Sequence, residues 1–377
     1  MEHGLGVGII GAGFIGRVHA RAVRLAGARL VGVVTADRAG SCQATAALGA
    51  ERAFDTATAL IDDPDVAVVH VCTPNHLHQP LVRQVLARSK HVVCEKPLAL
   101  TAADAAELTR AARQAGVVAA VPFCYRYQAI IQEARDRVSA GLIGPVHLVH
   151  GSYLQDWLLS PKVGNWRVET ALGGPSRAFA DIGSHWCDLI EWVTGCRILE
   201  LAATTEAVVR RRPTTSAHSF EPDAGAAGRR KHDVETEDLA CMVFRATGGV
   251  AGTLTVSQVS AGRKNRIWFE IDGSEASLVF NEEHPETLLI GRRNRNEVLW
   301  RDRSMLSADA GRLSTLPPGH HQGFVDGFAA FLTDVYGAVR GVVPHRYPTF
   351  EDGLRSTHIT EAVLTSSEKR SWVKVEP

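Results

Sequence analysis

Apolar and polar positions alternate in blocks along the first third of the chain. Leu5 to Ile10 is an apolar, partly β-branched run, and Arg17 to Ala26 has helical periodicity that stops at Gly27. The blocks then repeat. Leu30–Val34 predicts a strand, Cys42–Leu48 a helix, Val66–Val71 a buried strand, Gln79–Arg88 a helix and Val92–Cys94 a short strand. Thr101 to Gln114 predicts a helix with Thr101 as N-cap and Asp104 three residues on, ending at Gly116. Val117–Val121 is a further strand. Strands alternating with helices of this length need right-handed crossovers, so the pattern predicts a doubly wound parallel sheet.

The pattern changes after Phe123. A helix over about 129–140, stopped by Gly141, leads into a partly alternating strand, Val146–Leu154. Residues 155–180 form a long connection rich in Trp, Gly and Pro, and loops of that length inside a domain are usually functional. A helix follows over 182–194. Strand-like segments then run over 197–210, 239–246, 250–257, 266–271 and 276–280, with Thr247-Gly248-Gly249 as a hairpin turn. They predict a mainly antiparallel sheet. Residues 211–236 read as a mobile surface excursion and 301–321 as a second irregular stretch. Helices over 323–339 and 351–367 complete the chain, the second positioned to pack back on the first domain. The division is an α/β one: a dinucleotide-type domain over 1–123 and a second domain over 124–377.

Composition adds exclusions. The 377 residues are 45% hydrophobic and 22% charged, with 41 basic and 41 acidic side chains. Zero formal charge gives no long-range pull towards nucleic acid or an anionic membrane. The one dense basic run, Ala207 to Arg212, reads as a solvated strand end. Seven cysteines without a C-x-x-C pair argue against a disulfide framework. No leader pattern or apolar run of membrane-spanning length is present, so the expectation is a reduced, cytoplasmic protein with no membrane partner.

Candidate chemistry sits at the ends of the predicted strands. Gly11-Ala12-Gly13-Phe14-Ile15-Gly16 is G-x-G-x-x-G between a strand and a helix. Gly11 permits the tight turn, Gly13 a close approach to a pyrophosphate, and Gly16 close packing of helix on strand. The second strand ends in Thr35-Ala36-Asp37-Arg38. Asp37 would hydrogen-bond a ribose and Arg38 would pair a 2′-phosphate. With Thr35 in the usual place of the acid, the cofactor reading is NAD or NADP, leaning to NADP. Thr73-Pro74-Asn75, at the end of the third strand, suits the nicotinamide half. His76 and His78 lack the ligand spacing of a zinc module, so no metal is assigned.

Two motifs bear on the reaction. Glu95-Lys96-Pro97 holds an amine at a strand's carboxyl end, where ligands of open α/β sheets bind. Asp181 and His185 are four apart, on one face of a helix. Lys96 could hold a developing alkoxide or accept its proton, and His185 has an ordinary pKa suited to acid–base work near neutrality. Asp181 could orient either group. Trp157, Trp166, Trp186 and Trp192 cluster in sequence and could cover the C–H face of a sugar, with Trp192 expected to be packing instead.

This ordered set, with Tyr125-Arg126 and Asp352-Gly353-Leu354 added, resembles the glucose–fructose oxidoreductase/inositol dehydrogenase/rhizopine catabolism (Gfo/Idh/MocA) family. The resemblance implies a Rossmann domain, a C-terminal α/β domain with a large open sheet, a dimer or tetramer through that sheet, and NAD(P)-dependent oxidation or reduction of a sugar, anhydrosugar or cyclitol. It implies Lys96, Asp181 and His185 as the catalytic trio, and adds His78, Glu95, Trp166 and Arg167 to the cofactor site. Tyr153 to Trp157, Trp166-Arg167 and Asn265 are similar to members that oxidise the C3 hydroxyl of an anhydrosugar. That implies substrate contacts from Tyr125, Gln155, Asp156, Trp157 and Arg167. Cys124, Pro175 and Thr35 depart from the family pattern. Two other functions fit the same motifs: a glycosidase-like enzyme that oxidises transiently with a tightly held NAD, and a silent dinucleotide-binding sensor.

Overall fold

The computed structural model describes residues 4–213, 231–342 and 347–377. Its first layer is a six-stranded parallel sheet built from β1 (Gly6–Ile10), β2 (Arg29–Val34), β3 (Arg52–Ala53), β4 (Val68–Val71), β5 (His91–Cys94) and β6 (Ala119–Ala120). The spatial order is β3-β2-β1-β4-β5-β6, so the winding direction switches between β1 and β4. That switch opens the crevice in which open α/β sheets bind ligands. The crossover helices are α1 (Phe14–Leu25), α2 (Arg38–Leu48), α3 (Ala57–Asp62), α4 (His78–Ala87) and α5 (Ala102–Ala115). α2 begins four residues before the periodicity suggests, because Asp37 caps it by accepting from Gly40 N at 2.6 Å. β1, β4 and most of β5 are buried on both faces, which explains their near-continuous apolar sequence.

The second part is α6 (Ala129–Ser139), β7 (Val146–Leu154), α7 (Thr170–Gly173), α8 (Ser184–Thr194), β8 (Ile198–Glu206), β9 (Arg211–Pro213), β10 (Lys231–Asp233), β11 (Leu239–Ala246), β12 (Ala251–Ser257), β13 (Arg266–Gly273), β14 (Ser277–Asn281), β15 (Thr287–Arg292), β16 (Arg295–Trp300), α9 (Ala308–Leu313), α10 (Phe324–Val339), α11 (Phe350–Lys369) and β17 (Val373–Lys374). Nine of these strands form one sheet, in the order β16-β15-β14-β13-β7-β12-β11-β8-β17. Its pairings are antiparallel except β12 on β7. One face packs on α6, α8 and α11, burying Ile267, Phe269, Ile271, Met242 and Phe244. The alternation in β11, β12 and β13 is the period-2 signature of a sheet covered on one side.

Three sequence expectations need revision here. The β15–β16 hairpin is invisible to a search for apolar runs, because Arg292-Arg293-Asn294-Arg295 at its turn outweighs Leu288 and Ile290. The stretch after Arg301 contains α9, capped by Ser307. Residues 211–213 and 231–233 pair as a two-stranded ladder, and the rest of the expected excursion, 214–230, lies outside the described residues. Within that ladder Arg212 is fully buried rather than solvated, because its guanidinium finds acceptors in the long loop: Leu158 O at 2.6 Å and Val163 O at 3.1 Å.

The two parts are joined by more than the chain crossing at Phe123. α10 packs on α1 and α11 on α5, and Val121 N donates to Pro348 O at 3.0 Å. No helix among the described residues is long and apolar enough to cross a membrane.

Candidate active site

A cleft of about 1380 Å³ runs from the carboxyl ends of β1, β2 and β4 to the long loop and the adjoining ends of β7 and β13 in the second part. Its first half is made by backbone. Gly11 has φ of +97°, and a Cβ there would lie 2.6 Å from Cys72 O. A Cβ at Gly16 would lie 2.1 Å from Gly11 O, so helix and strand touch only because both positions are glycine. α2, α3 and α5 are each capped by a side chain, from Asp37, Thr56 and Thr101, whereas α1 has neither a side-chain cap nor an acid in its first turn. Its N-terminal N–H groups are left facing the cleft, where a phosphate suits them. Thr73 Oγ1 is also buried without a partner. These features fit a dinucleotide. Gly11, Gly13, Phe14 and Ile15, with Thr35 and Asp37, line this half, and Thr73, Pro74 and Asn75 line its far wall.

Two residues assigned to the cofactor lie elsewhere. Arg38 points away, to Ala53 O at 2.9 Å and Asp55 at 3.0 Å. His78 is buried beneath the cleft with one ring nitrogen 2.7 Å from Pro97 O and the other 3.0 Å from Thr73 O, tying two cleft loops together. Gly16 acts only through packing. Neither Arg38 nor His78 borders the cleft.

The second half is made by side chains. Lys96 leaves the end of β5 on a cis Lys96–Pro97 peptide. Its Nζ donates to Asp181 Oδ1 at 2.7 Å and to Asp181 O at 2.8 Å. Asp181 lies in a π-helical turn, Phe179–Gly183, that precedes α8, not in a regular helix as the spacing suggests. Its other oxygen accepts from Gln258 Nε2 at 2.8 Å, and Arg167 Nε stands 3.6 Å from Oδ1. Burial opposes the charged carboxylate, but Lys96 and Arg167, with the hydrogen bonds from Lys96 and Gln258, outweigh it and hold the group well below the usual range.

His185 follows in the first turn of α8, edge-on to Tyr125 at 5.2 Å and to Phe123 at 5.7 Å between ring centres. Its Nδ1 is buried without a partner. Burial, reinforced by the Lys96 charge, pushes the imidazole down to about 3, although Asp181 pulls the other way. The ring is therefore neutral at physiological pH. That departs from the near-neutral value expected for a histidine in the open, and the cause is desolvation.

Beside the trio, Asn265 Nδ2 donates to Tyr125 OH at 2.8 Å, and Tyr153 OH donates to Asn265 Oδ1 at 2.7 Å. The two tyrosine hydroxyls are 2.8 Å apart, which closes a ring of three polar groups on the cleft wall. Gln155 joins through Asn265 Oδ1 at 2.8 Å and accepts from Trp157 Nε1 at 2.9 Å. Trp166 and Arg167 line the cleft together, the guanidinium 4.6 Å from the indole centre. Asp156 does not border the cleft. Its carboxylate is taken by Lys264 Nζ at 2.7 Å and Gly262 N at 3.1 Å, which brace the loop carrying Asn265. Of the four clustered tryptophans, Trp157 and Trp166 border the cleft. Trp186 is fully buried under Gly151, and Trp192 packs against Arg135.

Sequence reasoning missed the network behind Asp181. Gln258 Oε1 accepts from Arg177 at 3.1 Å, and Arg177 pairs with Asp238, both fully buried. Glu237 accepts from Ser176, Arg177 N and Phe179 N, fixing the turn that carries Asp181. Gln258 follows directly on β12, whose parallel pairing places Ser257 beside Leu154 and so beside Gln155. No local pattern announces that neighbour.

Comparison with known proteins agrees with this geometry. The family model described as "Oxidoreductase family, NAD-binding Rossmann fold" matches residues 5–123, and the GFO/IDH/MocA C-terminal domain model matches residues 131–279. The levoglucosan dehydrogenase of Pseudarthrobacter phenanthrenivorans is 30% identical, over 98% of each chain. A structure of levoglucosan dehydrogenase in complex with NADH and L-sorbose superposes with a TM-score of 0.91 at 27% identity, over 99% of each chain. An inositol dehydrogenase homologue from Azotobacter vinelandii, complexed with NAD+, superposes with a TM-score of 0.86 at 25% identity, over 99% of this chain and 98% of the other. With a backbone cradle for a dinucleotide at one end of the cleft and the Lys96–Asp181 pair beside His185 at the other, the chain belongs to the Gfo/Idh/MocA family of NAD-binding oxidoreductases.

Proposed function

We propose that this protein is an NAD-dependent dehydrogenase for a secondary alcohol of a sugar, anhydrosugar or cyclitol. One observation carries the reading: Lys96 Nζ is held at 2.7 Å on Asp181, beside a neutral His185, where the dinucleotide half of the cleft meets its polar half. A dinucleotide held along the Gly11–Gly16 turn and Thr73–Asn75 would supply the hydride acceptor for the carbinol carbon. The chain's own groups handle the oxygen. The Lys96 ammonium fixes the substrate oxygen and favours its negative charge. Lys96 or His185 takes the hydroxyl proton, the imidazole being weakened as a base by its burial. The Tyr125–Tyr153–Asn265 ring and Gln155 offer donors and acceptors to further hydroxyls, and Trp157 an apolar face.

The cofactor is read as NAD. Asp37 lines the ribose end of the cleft while Arg38 is engaged outside it, and the bound neighbours named above hold NADH or NAD+. The lean towards NADP finds no support. The uncovered face of the nine-stranded sheet exposes Leu148, Val243, Thr253 and Thr255, and supports self-association through that face. An absorbance screen of anhydrosugars, sugars and inositols with both cofactors tests the activity. NADH accumulation with at least one of them, lost in Lys96→Ala, is expected. Binding of NADH without turnover of any would favour the sensor instead.

A further inference from the structure

Four buried polar side chains form an unbroken chain that the reaction does not use. Tyr336 OH, from α10, is 3.0 Å from His70 Nε2 in the middle of β4. His70 Nδ1 is 2.8 Å from His19 Nδ1 in α1, and His19 Nε2 is 3.0 Å from Glu95 Oε1 at the end of β5. Tyr336, His70 and His19 are fully buried. Only one pattern of donation satisfies all three contacts with neutral rings and an ionised acid. Tyr336 donates to His70, His70 donates through Nδ1–H to His19, and His19 donates through Nε2–H to the carboxylate. Burial, with His19 next to it, lowers the pKa of His70 and keeps it neutral, as that pattern requires.

The far end of the chain is a charge on the cleft wall. Three carboxylates line the cleft. Asp37 caps α2 at the distant end, and Asp181 is matched by Lys96 and Arg167. Among the described residues Glu95 pairs with no lysine or arginine side chain. Its partners are His19 and the backbone N–H of Lys96, 3.2 Å from Oε2. It stands beside Lys96, where the nicotinamide must lie if that residue is to reach the substrate oxygen. An oxidised nicotinamide carries a positive charge that the reduced ring lacks.

We propose that His19, His70 and Tyr336 are positioning residues that hold the Glu95 carboxylate aimed into the cleft, so that the site favours the oxidised over the reduced dinucleotide. This rests on the dinucleotide reading given above. It differs from a packing role because it acts on one oxidation state only.

The test is fluorescence titration of the full chain with NAD+ and with NADH separately. His19→Leu should raise the ratio of the NAD+ to the NADH dissociation constant roughly tenfold, the scale of one hydrogen bond to a charged group. His19→Gln, which keeps an N–H directed at Glu95, should restore most of it. Tyr336→Phe removes a single hydroxyl from the far end and frees the His70 tautomer, so it should move the ratio the same way by a smaller factor. Equal weakening of both forms, or an unchanged ratio in His19→Leu and Tyr336→Phe, overturns the proposal. A shift in His19→Leu with none in Tyr336→Phe overturns the relay beyond His19. Wild-type protein that binds neither form overturns the dinucleotide reading itself.

Discussion

The two halves of the cleft are built in opposite ways. The dinucleotide half is backbone: two glycines that no Cβ can replace without collision, and a helix terminus left uncapped beside capped neighbours. The oxygen-handling half is side chain: Lys96, Asp181 and Gln258 arrive from separate segments and hold one another, while His185 packs on Tyr125, which Asn265 holds in turn. A backbone cradle depends on what is absent at a few positions. A side-chain cluster depends on partners being present, including fully buried ones such as Asp238. Substitutions should therefore separate the halves, with lost chemistry in one and lost cofactor affinity in the other.

The sharpest break is Lys96→Ala. It removes the ammonium proposed to hold the substrate oxygen and leaves Asp181 with Arg167 and Gln258. Turnover should fall by about 10³-fold while NADH binds with nearly wild-type affinity. Single-turnover kinetics beside a binding titration would read both, and normal turnover would end the mechanism. Gly11→Ala should do the reverse. At φ +97° its Cβ would lie 2.6 Å from a backbone oxygen, so the turn must move. Dinucleotide affinity should drop by roughly 10²-fold, consistent with 1–3 kcal/mol of backbone strain, whereas any turnover at saturating cofactor stays closer to normal.

Between these lies Gln258→Leu, in a residue that touches no reacting atom in the proposed chemistry. It frees one Asp181 oxygen, and misplacing a positioned group can cost up to about 10²-fold. A fall in kcat with little change in cofactor affinity would place Gln258 in the side-chain half. An equal fall in both would show that the halves are not independent. A smaller effect is expected from Asp37→Asn, which preserves the α2 cap but removes the charge. The ratio of kcat/KM for NAD over NADP should fall roughly tenfold, about one charge-assisted hydrogen bond. No change would locate cofactor choice elsewhere, with Thr35 the next position to substitute.

The same contrast explains what the sequence disclosed. Gly11 to Gly16 is six consecutive residues whose spacing carries its own reason, and the alternating blocks around it specify the parallel sheet. Lys96 was legible because Pro97 ends a buried strand, and Asp181 with His185 because they are four apart. Gln258 and Asn265 reach the site through the pairing of β12 and β13 with β7, contacts between strands about a hundred residues apart in the chain. Arg212 looked solvated because its carbonyl partners come from the folded loop. Asp156 and Arg38 have the right chemistry for the cleft and are near it in sequence, but each is claimed by a nearer partner, Lys264 and Asp55. Electrostatic states were the least legible: a lone histidine reads as near neutral in pKa until its burial is known.

That last point gives the smallest effect and the cleanest sign. Burial lowers His185 to about 3 in the folded protein, against an ordinary value of about 6.5 in the unfolded chain. Above the unfolded value both states are neutral there, and the group adds no pH dependence. As pH falls below it, the unfolded chain gains a proton that the folded site refuses, so stability is lost progressively down to the folded pKa. His185→Asn removes this proton without introducing a charge. The loss of Tm between pH 7 and pH 5 should be shallower in the variant by a few degrees, whatever its absolute Tm. Parallel Tm–pH curves would mean that His185 is not held neutral by the fold.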